Sequence, residues 1–322
     1  MTIAFTFPGQ GSQAVGMGKG LSDAYPAARA VFAEVDDALS ENLSKLVFEG
    51  PQAELTLTQN AQPALMAVSL AAFRVLSERV EGLSHKIAFA AGHSLGEYSA
   101  LAAAGCLGVG ETAKLLRLRG LAMQAAVPVG QGAMAALIGA TVEQAEKLAA
   151  AAAGPDVCQV ANDNDPGQVV LSGSKAAIDR AIALAKEHGV RRAVLLDVSA
   201  PFHSALMQPA ASAMQEALAH AKIQKPVMPI VANVHAHAIT DPEILRRGLV
   251  TQVTGRVRWR ETVAFMAANG VDVIYEVGAG KVLSGLARRI VATLDAKAIG
   301  TPDDVEAAVP VLNAAGPAAK GN

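Results

Sequence analysis

A chain of 322 residues, 52% of them apolar, can bury a large core as one α/β unit or as two. Its 27 Lys and Arg against 29 Asp and Glu leave a formal charge of -2, so no basic excess points to nucleic acid or an anionic membrane as partner. The two cysteines, Cys106 and Cys158, lie far apart with no Cys-x-x-Cys spacing; they suggest neither a disulfide framework nor a metal site, and read as small buried residues.

The opening MTIAFTFPG lacks a basic leader, and no uninterrupted apolar run reaches the ~18 residues of a membrane span. A cytoplasmic location is therefore expected. Residues 3–7 predict a short buried strand that stops at Pro8-Gly9-Gln10-Gly11-Ser12-Gln13. This loop is glycine-rich, but its spacing matches neither of the common phosphate-binding patterns. It still lies at the C-terminal end of an α/β strand, where ligands sit, and its N–H groups are candidates for an anion hole. Residues 25–47 have a helical period that breaks at Gly50-Pro51. Gln62-Pro63 then opens a long helix through residue 76, with proline in the first turn.

A strand over 87–91 leads into Gly92-His93-Ser94-Leu95-Gly96 and an Ala/Leu-rich helix. The next helix, over 110–126, builds an apolar face from Leu115, Leu116, Leu118 and Met123, which leaves Arg117 and Arg119 without an obvious place. From residue 132 the pattern changes to strand 133–140, helix 141–152, strands 157–161 and 168–172, helix 176–188 and strand 193–198. That βαββαβ order is the split βαβ arrangement of ferredoxin-like domains. Residues 132–199 are thus expected to be a small domain inserted into a discontinuous large one, 1–131 and 200–306. The amide-rich connection from Asn162 to Gly167 reads as a hairpin turn that could also reach a substrate.

Beyond the insert, Pro201-Phe202-His203-Ser204 leads into a helix over 205–219. A strand over 227–232, a loop carrying His235 and His237, a helix around 242–250, a strand over 271–277 and a closing helix over 282–294 follow. Strands alternating with helices on both sides of the insert predict a mostly parallel sheet covered by helices. Residues 307–322 are small, contain Pro and Gly and lack aromatics, so a flexible tail is expected there.

The pentapeptide around Ser94 carries the chemistry. A tight strand-to-helix turn exposes its central serine, and the helix that follows directs free N–H groups and its positive end toward whatever the hydroxyl attacks. Ser94 is thus placed as a nucleophile, with a helix N-cap as the plainer alternative. A serine nucleophile needs a base, and imidazole titrates in the right range. Among seven histidines, His203 occupies a loop-end position like that of Ser94. His235 and His237 remain competitors on composition alone.

Seven stretches, FPGQGSQ, GHSLGEYSAL, LRLRG, GAMAAL, PGQVVLSG, PFHSALM and EVGAGKVLSGL, resemble in order the malonyl-CoA:acyl carrier protein transacylases of type II fatty acid synthesis. The resemblance runs from about residue 3 to about residue 295. It implies an α/β-hydrolase-like large domain with a ferredoxin-like insert. It further implies an acylated Ser94, His203 as general base, and the main-chain carbonyl of Gln252 orienting the imidazole in place of an aspartate. The oxyanion hole would be the N–H groups of Gln10 and Leu95. Arg119 would hold the malonyl carboxylate, since its planar fork suits two parallel hydrogen bonds. Phe202, Met123 and Asn162 resemble pocket-lining positions, with Phe202 leaving little room for an α-methyl branch. Gly255-Arg256 and Ala279 depart from the family's usual Asn-Pro and proline.

The resemblance implies malonyl-CoA and phosphopantetheinylated acyl carrier protein as substrates, no metal or other cofactor, and a monomer with neither nucleic acid nor membrane as partner. Because acyl carrier proteins are acidic, a basic rim is expected around the site. Rival readings are a serine esterase or thioesterase, the acyltransferase of a malonate decarboxylase or polyketide system, and a catalytically silent docking module. Arg119 separates the first rival, because a hydrolase of neutral esters has no use for a buried cation.

Overall fold

The structure, a computed structural model, describes residues 1–318. Strand β1 (Ile3–Phe7) precedes six helices, α1 (Lys19–Ala24), α2 (Pro26–Leu39), α3 (Leu43–Glu49), α4 (Gln52–Thr56), α5 (Thr58–Arg79) and α6 (Leu83–Lys86). After β2 (Ile87–Gly92) come α7 (Gly96–Ala103) and α8 (Val109–Ala126). The next segment runs β3 (Gly132–Ile138), α9 (Val142–Ala153), β4 (Cys158–Asp165), β5 (Gln168–Ser174), α10 (Lys175–Leu184) and β6 (Arg192–Leu195). A 3-10 turn at Ala205–Met207 then opens α11 (Gln208–His220), β7 (Ile230–Val231), β8 (Ala238–Ile239), α12 (Pro242–Thr254) and α13 (Trp259–Ala268). The chain closes with β9 (Val273–Val277), α14 (Val282–Ile290), β10 (Asp295–Ile299) and α15 (Pro302–Ala314).

Six strands form one sheet in the order β10-β9-β1-β2-β7-β8, parallel throughout except for β8. The IAFTF sequence of β1 is buried on both faces, as the central strand of a helix-covered parallel sheet must be. Ile3, Phe5 and Phe7 point into the cluster shared with α2, α5 and α8, whereas Ala4 faces Trp259, Val263 and Leu286 of α13 and α14. The second sheet is antiparallel in the order β4-β5-β3-β6, with α9 and α10 on one face. Ala133, Ala135 and Leu137 point at those helices; Met134 and Ala136 point the other way, toward the large sheet. This is the mixed α/β fold with a ferredoxin-like insert.

The insert is attached in two ways. Its first residue lies against the chain's return: a Cβ on Gly132 would fall 2.4 Å from the Pro201 ring. Strand β4 also bridges to the segment between α12 and α13 of the large domain, with the Asp163 N–H donating to Val257 O and the Val257 N–H to Ala161 O. Two nearly buried carboxylates secure it, Asp163 to Arg260 of α13 and Asp165 to Arg289 of α14. Strand β4 thus continues to Asp165, and the predicted turn narrows to residues 166–167.

Three expectations need correction. The flexible tail expected over 307–322 is instead helical through Ala314: Val305, Ala308, Val309 and Leu312 recur at helical spacing and are buried in the main core. The Ala318 N–H still donates to His85 O, and residues 319–322 lie outside the described residues. The expected helix over 282–294 ends at Ile290 and gives way to the edge strand β10. Pro63 is the sixth residue of α5 rather than part of its first turn. Proline offers no N–H to Gln59 O, the acceptor one turn back, and Arg117 Nη1 donates there instead at 2.6 Å.

Candidate active site

Ser94 lies between β2 and α7 with φ at 53°, a left-handed conformation that ordinary residues adopt only under constraint. The His93 N–H donates to Phe7 O at 3.1 Å and the Ser94 N–H to Asn233 Oδ1 at 2.8 Å. A Cβ on Gly92 would fall 1.9 Å from the Gly96 carbonyl, and one on Gly96 would fall 2.2 Å from Phe7 O. Only glycine fits at either position.

His203 also has a positive φ, 58°, in the loop by which the chain leaves the insert. Its Nε2 lies 2.7 Å from Ser94 Oγ. The opposite nitrogen, Nδ1, lies 2.8 Å from Gln252 O and 3.1 Å from Gly255 O. Two carbonyls accept only, so Nδ1 carries the proton and Nε2 is left to accept from the serine. Gln252 is the third-last residue of α12. Its carbonyl is one of the acceptors a helix C-terminus leaves without a backbone donor, and the negative end of the helix favours an imidazolium there. Burial, then the field of Arg119, holds the free imidazole down to about 3, against the hydrogen bond to Gln252.

The Arg119 guanidinium reaches in from α8 and is 1% exposed. Its Nη1 donates to Gln62 Oε1 at 2.8 Å, and its Nη2 to Gln252 Oε1 at 2.8 Å and Ser94 Oγ at 3.2 Å. Its Cζ lies 5.8 Å above the Tyr98 ring. All three acceptors are neutral, and no ion pair forms to Arg119 among the described residues.

Ser94, His203 and Arg119 open onto a cavity of about 430 Å³ between the two sheets. Gln10, Leu95, Met123, Asn162 and Phe202 also line it, while Gln252 stands behind His203 and Arg119. The N–H groups of Gln10 and Leu95 have no acceptor among the described residues. The arrangement can pass a proton from Ser94 to His203 with a fixed cation beside the oxygen.

An acyl transferase domain model matches residues 4–310 of the chain. The malonyl CoA-acyl carrier protein transacylase of Bacillus subtilis is 43% identical over 311 residues, covering 96% of this chain and 97% of that protein. The chain belongs to the malonyl-CoA:acyl carrier protein transacylase family. An acyl-carrier-protein-S-malonyltransferase crystal structure from Bartonella henselae superimposes with a TM-score of 0.95 at 56% identity, covering 97% of this chain and 99% of that one. A malonyl-transacylase solved in complex with a type II PKS acyl-carrier protein superimposes at 0.93 with 41% identity, covering 97% and 100%.

In this transacylase fold His235 and His237 do not line the cavity; their rings lie 5.5 Å from one another on the loop after β7. Met123 is 1% exposed, its sulfur 3.7 Å from Gln62 Nε2. The basic rim expected from the acidity of carrier proteins is mixed. Arg289 lines the cavity but is paired with Asp165, and Asp197 lines it as well. The residues that sequence reasoning passed over mostly support others. Gln62 and Asn233 hold Arg119 and the Ser94 backbone, Gly255 supplies a second carbonyl to His203, and Asn164 Oδ1 lies 2.9 Å from His93 Nε2. Glu97, inside GHSLGEYSAL, was passed over as well; its Oε2 accepts from Gln252 Nε2 at 2.9 Å.

Proposed function

We propose that this chain transfers a malonyl group from malonyl-CoA to the phosphopantetheine thiol of an acyl carrier protein, through a malonyl ester on Ser94, supplying fatty acid synthesis. Ser94 Oγ attacks the thioester carbonyl as His203 Nε2 takes its proton. The N–H groups of Gln10 and Leu95 receive the developing oxyanion, each such donor stabilising the transition state by about 3 kcal/mol. The imidazolium returns its proton to the departing CoA sulfur. His203 next deprotonates the carrier thiol, which attacks the malonyl ester, and Ser94 recovers its proton as it leaves. Arg119 holds the malonyl carboxylate throughout.

One observation carries this reading: a buried guanidinium that no carboxylate contacts directly among the described residues, 3.2 Å from the serine oxygen. A buried cation held only by neutral amides and a hydroxyl is costly, and a carboxylate-bearing acyl group offers the direct charged hydrogen bonds it lacks. We read the protein as a monomer acting in the cytoplasm, with chemistry that calls on side chains and main-chain N–H groups rather than a metal or redox group. No helix among the described residues is long and apolar enough to cross a membrane. Intact mass after exposure to malonyl-CoA without acceptor tests the proposal. The expected result is a persistent gain of one malonyl group that Ser94→Ala abolishes; free malonate released with no adduct on the protein would instead mark a hydrolase.

A further inference from the structure

Arg119 is not alone in the buried centre. Glu97, in the first turn of α7, is fully buried. Its Oε2 accepts from the Asn233 N–H at 2.9 Å and from Gln252 Nε2 at 2.9 Å, while its Oε1 has no partner among the described residues. The Gln252 amide stands between cation and carboxyl. Its oxygen faces Arg119 and its N–H faces Glu97, so one dipole stabilises both charges at once. Asn233 links the same carboxyl to the nucleophile, since its side chain accepts from the Ser94 N–H.

The surrounding groups leave Glu97 one charged neighbour. From α8 the field of Arg119 reaches it across the Gln252 amide; α12 and the segment after β7 contribute the neutral Gln252 and Asn233. Tyr98, from α7 itself, is held un-ionised by burial. His203 and His93 are kept neutral by burial. Burial pulls the Glu97 carboxyl up to about 7, against its hydrogen bonds and Arg119.

We propose that Glu97 is the resident counter-charge of Arg119, and that it takes a proton from solvent when a malonyl carboxylate occupies the cavity. The inference rests on the reading of Arg119 as the malonyl partner. The ionised substrate adds one negative charge, Glu97 gains one proton, and the proton returns to water when the malonyl group leaves with the carrier. Two carboxylates sharing one cation repel, and such a site raises the affinity of one of them for a proton. Glu97 is thus a positioning and charge-balancing residue. It makes malonyl loading proton-linked, a linkage that an acyl group lacking a carboxylate escapes.

The test compares the parent protein with Glu97→Gln, which keeps the acceptor for the Asn233 N–H. Malonyl-CoA is added in weakly buffered solution near pH 8, with protons followed by an indicator dye and malonyl groups counted by mass. Each loading releases one CoA, so the thiol's own ionisation is common to both proteins and cancels. The parent is expected to take up close to one more proton per malonyl than the variant. Its kcat/KM for malonyl-CoA is expected to fall by up to about tenfold per pH unit above the titration of Glu97, with a flatter profile in the variant. Equal proton counts or superimposable profiles would overturn the proposal. If the variant fails to fold, a parent kcat/KM that stays level from about pH 6.5 to about pH 8.5 overturns it alone. Absence of any malonyl adduct on the parent would instead overturn the reading of the site.

Discussion

Replacing Arg119 by alanine separates substrate selection from chemistry. The guanidinium offers a malonyl carboxylate charge-assisted hydrogen bonds worth about 1.5–3 kcal/mol each. Two of them correspond to about 3–6 kcal/mol, or a loss of about 10²–10⁴ in kcat/KM for malonyl-CoA. Acetyl-CoA has no carboxylate to lose. It should suffer only from the vacated contact to Ser94 Oγ and from Gln62 and Gln252 losing their donor, within about tenfold. The malonyl-to-acetyl preference should therefore drop by about one to four decades. Initial rates of CoA release with saturating acyl carrier protein give both constants, and a melting curve checks the fold. Equal losses for the two thioesters would refute the argument, because a structural defect spares neither.

Gly96→Ala places a methyl group 2.2 Å from Phe7 O, main chain that cannot step aside, and should cost about 3 kcal/mol or more in stability. Gly108→Ala, with nothing within 4 Å, serves as the control and should melt close to the parent. The neutral His203 makes stability fall in acid. Below its ordinary 6.5 the unfolded chain binds a proton that the folded chain refuses down to about 3, so stability is intact above about pH 6.5 and lost as pH falls. About 2 kcal/mol should be gone by pH 5, and up to about 5 below pH 3. Urea unfolding across that range should show a shallower decline in His203→Gln; parallel curves would mean that His203 is not the group responsible.

The parts of the site legible in the sequence are those whose chemistry is local. A serine between two glycines at a strand-to-helix junction implies its own geometry, because the close approach that excludes a Cβ is set within the turn. Arg119 stood out because its helix has no apolar reason for a cation there. Glu97 was harder to read. An acid in the first turn of a helix ordinarily marks a solvated, dipole-favoured position, and only the approach of α12 and the segment after β7 buries it. The same holds for Asn233, whose role depends on a backbone 139 residues away in sequence. At the C-terminus, composition outweighed periodicity: small residues suggested flexibility, although Val305, Ala308, Val309 and Leu312 already drew a helical stripe. Edge strand β10 was missed because Asp295 and Lys297 put charge on an alternating pattern only five residues long.

The contact between Gly132 and Pro201 bears on how the chain reaches this structure. Ser94 and His203 are 109 residues apart, a long loop to close before their contact gives anything in return. Once the insert has folded with its ends together, residues 132–200 no longer count toward that loop, and the effective separation shrinks to about 40. On the logarithmic dependence of closure entropy on length, this lowers the cost by about 0.9 kcal/mol. An early-folding insert therefore acts as a clasp that brings base and nucleophile within range while the large sheet is still assembling.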